Sequence, residues 1–241
     1  SLEFDTKDFG LAKTVSIVSA ELTGTAKNNY SLTLDASRPT DTAAVNKLAL
    51  SVTAPAITSK QYDATTTAGA VTVGTISGFV GSETVTATGA AAAYSSANVA
   101  NYPGVVVTYT LADGTNGGKA SNYSLANGSA TGAITAKTLS VTAPTIASRA
   151  YNRTTTAGAV TVGTISGFIG TETVTATGAA AAYSSADIGS YAGVVITYTL
   201  ADGTNGGKAA NYSLANGSAT GVITAKELTI GNASGKTFSV S

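Results

Sequence analysis

Residues 54–136 and 143–225 align at an offset of 89 with no insertion, and 67 of those 83 positions are identical. Blocks 65–79 and 154–168 match without a break, as do blocks 108–120 and 197–209. Two stretches this alike must fold alike, so whatever structure the chain has is built from one unit used repeatedly. A period near 89 residues is too long for a solenoid repeat, which usually runs roughly 20–50 residues. It suits one whole β-sandwich domain per period.

The same pattern extends to both ends. Phe4, Asp8, Phe9 and Gly10 lie over Tyr183, Asp187, Ile188 and Gly189 without a gap, and Val15 and Ile17 then fall on Val194 and Ile196. After a three-residue deletion, Asn29-Tyr30-Ser31-Leu32 falls on Asn211-Tyr212-Ser213-Leu214. Lys236 and Phe238 echo Lys60 and Tyr62. The expected division is therefore 1–47 as the later half of a preceding copy, 48–137 and 138–226 as complete copies, and 227–241 as the first strand of another. Residues 1–46 lack the front strands of their copy. They are expected to fray or to pair their strand edges with another chain or another part of this one.

Within a copy the signals are those of strands. Leu48, Leu50 and Val52 alternate with Ala49, Ser51 and Thr53, as half-buried strands do. The run 105–109 is β-branched and suits a central strand. The Ala90-Ala91-Ala92-Ala93 run has no helix cap and no 3.6-residue pattern, so it is expected to be extended. Asp113-Gly114-Thr115-Asn116-Gly117-Gly118 reads as a loop of residues that tolerate positive φ. Asp187-x-Gly189-x-Tyr191 ahead of a β-branched strand has the arrangement of a tyrosine corner. Together these predict an all-β fold of tandem immunoglobulin-like antiparallel β-sandwich domains, arranged end to end.

The junctions predict stiffness. Ile134 and Ala136 have one parity and Leu139, Val141 and Ala143 the other, and Ile223 against Leu228 and Ile230 shows the same switch. A change of parity exchanges the inward and outward faces of a strand. The last strand of one copy is thus expected to enter the first of the next after one or two residues, without a flexible Gly/Ser linker.

Composition excludes several kinds of chemistry. The chain has no Cys, His, Met or Trp and no net charge. That removes the thiolate nucleophile, the disulfide framework and the commonest general base. A neutral chain lacks the basic field that draws nucleic acid or an anionic membrane. No stretch approaches the roughly 20 apolar residues that span a bilayer. Nucleic acid and membrane insertion of this segment are therefore not expected among its partners.

The carboxylates shared by both copies are Glu83/Glu172 and Asp113/Asp202, read as solvated charges because nothing in the sequence places them together. Asp113 and Asn116 in their turn supply too few oxygens for calcium, which takes six to eight. Lys119/Lys208 and Lys137/Lys226 near Asn122/Asn211 could in principle form an acid-assisted amide crosslink, though ordinary surface lysines explain them equally well. All eleven tyrosines obey the repeat: 62/151, 94/183, 102/191, 109/198 and 123/212 pair, and Tyr30 matches the last pair. They are read as core or corner residues, against an alternative in which some form a shallow sugar-binding face. No catalytic, cofactor-binding or metal residue is assigned, and the chain is not expected to be an enzyme.

Tyr62-Asp63-Ala64-Thr65-Thr66-Thr67, followed by Thr75, Gly78, Gly81, Glu83 and Val85, resembles the Tyr-Asp-Gly (YDG) repeat family of bacterial adhesins. Asn122 through Leu125, with Gly132, Ile134 and Lys137, resembles the closing strands of related MBG-type repeats. Ala64 stands at the family's Gly, and the second copy reads Tyr151-Asn152-Arg153. The Thr- and Ala-rich wording is also similar to giant surface adhesins of gliding Bacteroidetes, of the SprB type. These resemblances imply a secreted, extracellular cell-surface protein exported by the type 9 system and used in gliding motility. The expected role is a tension-bearing stalk that extends a distal adhesive region, with neighbouring copies of the same chain as partners. The alternative is a weak binding module for a glycan or abiotic surface, multiplied by avidity.

Overall fold

The computed structural model describes residues 1–34 and 40–229. The chain is all-β, with three short 3-10 turns and no α-helix among the described residues. It forms two compact units. The first comprises residues 1–60, 66–96 and 100–133; the second comprises 61–65, 97–99 and 134 onward. Two short pieces of the first copy, 61–65 and 97–99, thus belong to the body of the second unit.

In the second unit a four-stranded sheet runs in the order Arg149–Ala150, Gly217–Thr224, Gly189–Asp202, Val174–Ala180. A three-stranded sheet has the order Ile165–Ser166, Lys137–Val141, Tyr212–Leu214. A two-stranded ladder joins Thr145–Ile146 to Val160–Thr161. The core gathers Ile146, Tyr183, Val194, Ile196 and Ile223. The alternation seen in the sequence is the reason: β-branched residues of the long strand point inward at every second position, and Ile196 is fully buried. The strand bends at a bulge between Tyr191 and Val194, where Gly193 has φ 69°.

The first unit repeats this plan. Strand Val85–Ala91 pairs antiparallel with Ala100–Asp113, so Ala90 and Ala91 of the alanine run are extended as expected, and the strand ends before Ala92 and Ala93. Leu50, Tyr123 and Val85 pack together, which joins the three-stranded sheet to the four-stranded one. Residues Leu2–Phe4, Gly10–Ile17 and Thr40–Val45 form an antiparallel sheet of their own. Tyr30 is exposed although Tyr123 and Tyr212 are buried. Segment 1–47 contains no counterparts of Leu50 and Glu83, the residues that cover and bond Tyr123.

The ladders are not purely antiparallel, contrary to expectation. Tyr123–Leu125 lies parallel to the Leu48–Val52 strand, Lys137–Val141 parallel to Tyr212–Leu214, and Arg149–Ala150 parallel to Gly217–Thr224. The opening segment of a copy is short and broken, so its first part joins one sheet and its next part the other. Both parts lie beside closing strands that run in the same direction.

The change of parity is present. Strand Gly128–Thr135 buries Gly132 and Ile134, one residue intervenes, and strand Lys137–Val141 buries Leu139. Ile230, Lys236 and Phe238 lie outside the described residues.

Candidate functional site

The invariant loop does the positioning. Asn116 (φ 55°) and Gly117 (φ 83°) take the left-handed conformation, and the Asp113 carboxylate accepts the Ala120 N–H at 2.8 Å. Gly118 has no room for a side chain, because a Cβ there would lie 2.0 Å from the Thr84 carbonyl oxygen. The chain then makes a 3-10 turn, Ala120–Asn122, which delivers Asn122 just ahead of strand Tyr123–Leu125. Asp202, Ala209–Asn211 and Tyr212–Leu214 repeat the arrangement, with the Ala209 N–H donating to Asp202 at 2.7 Å.

Each unit carries a socket built from these residues. In the first, the Tyr123 hydroxyl donates to Glu83 Oε2 at 2.7 Å, and the Phe79 ring meets Tyr123 edge-on at 5.9 Å. In the second, the Tyr212 hydroxyl donates to Glu172 Oε2 at 2.7 Å, and Phe168 meets Tyr212 edge-on at 5.8 Å. Burial and then the Glu172 carboxylate raise the Tyr212 phenol above its ordinary pKa, since both disfavour a second negative charge.

Both sockets grip the same element. In the second unit the Val99 N–H donates to Asn211 Oδ1 at 2.9 Å, while Asn211 Nδ2 donates to Asn98 Oδ1 at 3.0 Å. In the first unit the Phe9 N–H donates to Asn122 Oδ1 at 2.8 Å, and Asn122 Nδ2 donates to Asp8 Oδ1 at 2.9 Å. A backbone N–H can only donate, so it fixes which end of the asparagine amide faces it. The two bonds together read an Asx residue followed by an apolar one. Asn211 is 1% exposed, so its amide depends on these partners.

The third contact differs between the units. Glu172 Oε1 accepts the Tyr62 hydroxyl at 2.8 Å, and the Tyr62 and Tyr212 rings meet edge-on at 5.5 Å. Burial, followed by the Glu172 carboxylate, pushes the Tyr62 phenol up to about 12. In the first unit Lys7 donates to Glu83 Oε1 instead. The Lys7 ammonium and then the Tyr123 hydroxyl hold Glu83 below the usual carboxylate range. Asp8 is also lowered, first by Asn122 and then by Lys119, whose ammonium pairs with Asp8 Oδ2. Lys47 lies over the Phe9 ring at 5.0 Å.

The family position occupied by Ala64 has φ 61°, and Arg153 in the second copy has φ 65°. The turn that Asp-Gly would make is therefore present without its Gly. Asp63 Oδ1 accepts both the N–H and the hydroxyl of Thr65, at 2.9 and 2.8 Å, and Asn152 Oδ1 does the same for Thr154. This Asx turn follows directly on Tyr62 and Tyr151.

Glu83 and Asp113 serve different structural partners and form no acid–base pair. Lys119, Asp8 and Asn122 do meet, the constellation an amide crosslink requires. However, the Lys119 side chain is half-exposed, and a link to Asn122 would staple residues three apart. In the second unit Asn98 stands where Asp8 stands in the first, which removes the acid. The tyrosine corner is formed in the second copy: the Tyr191 hydroxyl donates to the Asp187 carbonyl oxygen at 2.6 Å. Ten of the eleven tyrosines are buried or half-buried. Among the described residues, no group of three or more Asp or Glu could hold a metal, and no helix is long and apolar enough to cross a membrane.

The YDG domain model matches residues 45–131 and again 135–221, together well over half of the sequence. The chain belongs to the YDG domain family. No curated protein and no solved structure matches it. At the position of the name-giving tripeptide in the first YDG copy, Tyr62 supplies the ring that enters the socket, Asp63 closes the Asx turn, and Ala64 takes positive φ. Sequence reading singled out all three but not their destination, because Glu172 lies 110 residues from Tyr62.

Proposed function

We propose that these YDG copies are non-catalytic spacer modules of a large extracellular surface adhesin, extending a distal adhesive region from the cell and bearing tension. The observation that supports this most directly is the repeated clasp. In each unit an asparagine at the end of a 3-10 turn holds an Asx–apolar dipeptide contributed by the preceding copy in sequence, at residues 8–9 and 98–99. These part-buried hydrogen bonds tie each copy to a piece of its predecessor's sequence, and no Gly/Ser linker lies between the copies. The carboxylates and asparagines shared by the two copies have structural partners, and the rings that could stack on a sugar are largely internal. The finer setting, a gliding bacterium with type 9 export, rests on the resemblance of the wording alone.

Two measurements test the proposal. Stretching the tethered chain should give two unfolding steps of similar length, at forces above those of thermal extension. A panel of glycans and abiotic surfaces should show no saturable binding. Saturable binding by the folded chain would favour the alternative, a weak adhesive module acting by avidity.

A further inference from the structure

The second copy carries its own set of plug residues. Tyr151, Asp187 and Ile188 are the counterparts of Tyr62, Asn98 and Val99 at the 89-residue offset. The latter three are buried or half-buried in the second unit, held by Glu172 and Asn211. Two of their counterparts are open: Ile188 is 60% exposed and Asp187 is exposed. The Tyr151 ring is half-buried against the core of its own unit, and its hydroxyl has no hydrogen bond among the described residues. Ser185 donates to Asp187 Oδ2 at 2.7 Å and so holds the carboxylate in place. An open cavity of about 580 Å³ runs along this end, lined by Tyr151, Arg153, Ile188, Lys226 and Leu228 among others. Leu228 is 83% exposed, whereas its counterpart Leu139 is 3% exposed in a strand paired with Tyr212–Leu214.

We infer that this end of the second unit is a docking face for a further copy of the YDG repeat, joined in the same chain. In that complex the Tyr151 hydroxyl donates to the further copy's equivalent of Glu172. The Ile188 N–H donates to its equivalent of Asn211, whose Nδ2 donates to Asp187. Leu228 enters its core as Leu139 does here. Asp187 offers more than Asn98 can, because the lysine equivalent to Lys208 gains a carboxylate, as Lys119 has in Asp8. A separate molecule of this chain is a poorer occupant, since both of its sockets are already filled, by residues 7–9 and by Tyr62, Asn98 and Val99.

This inference rests on the spacer reading for its biological sense, but its test does not. The chain is lengthened by repeating residues 138–229 after Lys226, and amide hydrogen exchange is followed at Ile188. Exchange there should slow by roughly tenfold or more relative to the present chain. Changing the added copy's equivalent of Asn211 to Ala should restore the fast rate, and Asp187→Ala should weaken protection in the lengthened chain while leaving the present one nearly unchanged. Unchanged exchange at Ile188, with the added copy folded by the protection of its own equivalent of Ile196, overturns the inference. So does concentration-dependent protection of Ile188 in the present chain, which would make a second molecule the occupant. Glycan binding would remove the spacer reading and leave this result standing.

Discussion

Asn211 Nδ2 donates to Asn98 Oδ1 at 3.0 Å across 113 residues of sequence. The same asparagine, itself almost fully buried, accepts the Val99 N–H, so one side chain bonds a carbonyl oxygen and a backbone N–H at once. Asn122 does this for Asp8 and Phe9 in the first unit. The clasp is a property of the repeat rather than of one accidental contact.

Removing it should be costly. Asn211→Ala removes the bonds to the Val99 N–H and to Asn98 Oδ1, each worth about 0.5–1.5 kcal/mol net. The second unit should therefore lose roughly 1–3 kcal/mol in denaturant unfolding. Asn122→Ala should lose less, because Asn122 is less buried. Equal, negligible losses at both positions would show that the clasp does not stabilise the fold.

Asn98→Asp should strengthen the second unit at neutral pH. It places a carboxylate where Asp8 stands in the first unit, and Lys208, the counterpart of Lys119, should pair with it as Lys119 pairs with Asp8. The pair is only partly shielded, so the expected gain is about 0.5–1 kcal/mol and should fade in high salt. A gain that persists unchanged at molar salt would contradict the electrostatic account.

Ala64 and Arg153 sit at φ 61° and 65°, where a Cβ is unfavourable by roughly 1–2 kcal/mol and Gly is not. Gly also has more freedom to lose on folding, so Ala64→Gly and Arg153→Gly should each stabilise by about 0.5–1 kcal/mol. Melting temperature reads this directly. A fall at both sites would mean that the turn does not take the left-handed conformation.

Alkaline pH should open the second socket. The Tyr62 phenol has a folded pKa of about 12 against an ordinary 10.0. Because the folded value is the higher one, its contribution is complete below pH 10 and is lost as pH rises towards 12. Denaturant stability measured across that window should decline, and Tyr62→Phe should flatten the decline. A Tyr62 that titrates like an exposed phenol would refute the Glu172 contact.

Acid acts on the first socket in the opposite sense. Lys7 and the Tyr123 hydroxyl depress Glu83, so its contribution is present above the ordinary carboxylate pKa and disappears as pH falls through the lower folded value. Glu83→Gln should remove that part of the acid dependence. An unaltered acid profile would place the dependence elsewhere.

Much of this was legible in the amino-acid order. The 89-residue equivalence, the alternation in strands such as Leu48–Val52 and the parity change around Lys137 determined by themselves that the fold is a repeated β unit with short joints. Period-two alternation and turn residues are local signals, and local signals survive in a sequence. The tyrosine corner at Asp187 and Tyr191 spans only five residues and was equally visible.

Only the tertiary structure decided where the plug residues go. Tyr62 meets Glu172 at a separation of 110 residues, and Val99 meets Asn211 at 112. A hydrogen bond between a side chain and a distant backbone N–H leaves no periodic trace, so the sequence offered Asn122 as a crosslink candidate and as part of a closing-strand motif, and not as a clasp. The structure also decided that Lys7 answers Glu83 where Tyr62 answers Glu172, since quite different side chains can donate to one carboxylate once the fold has brought them to it.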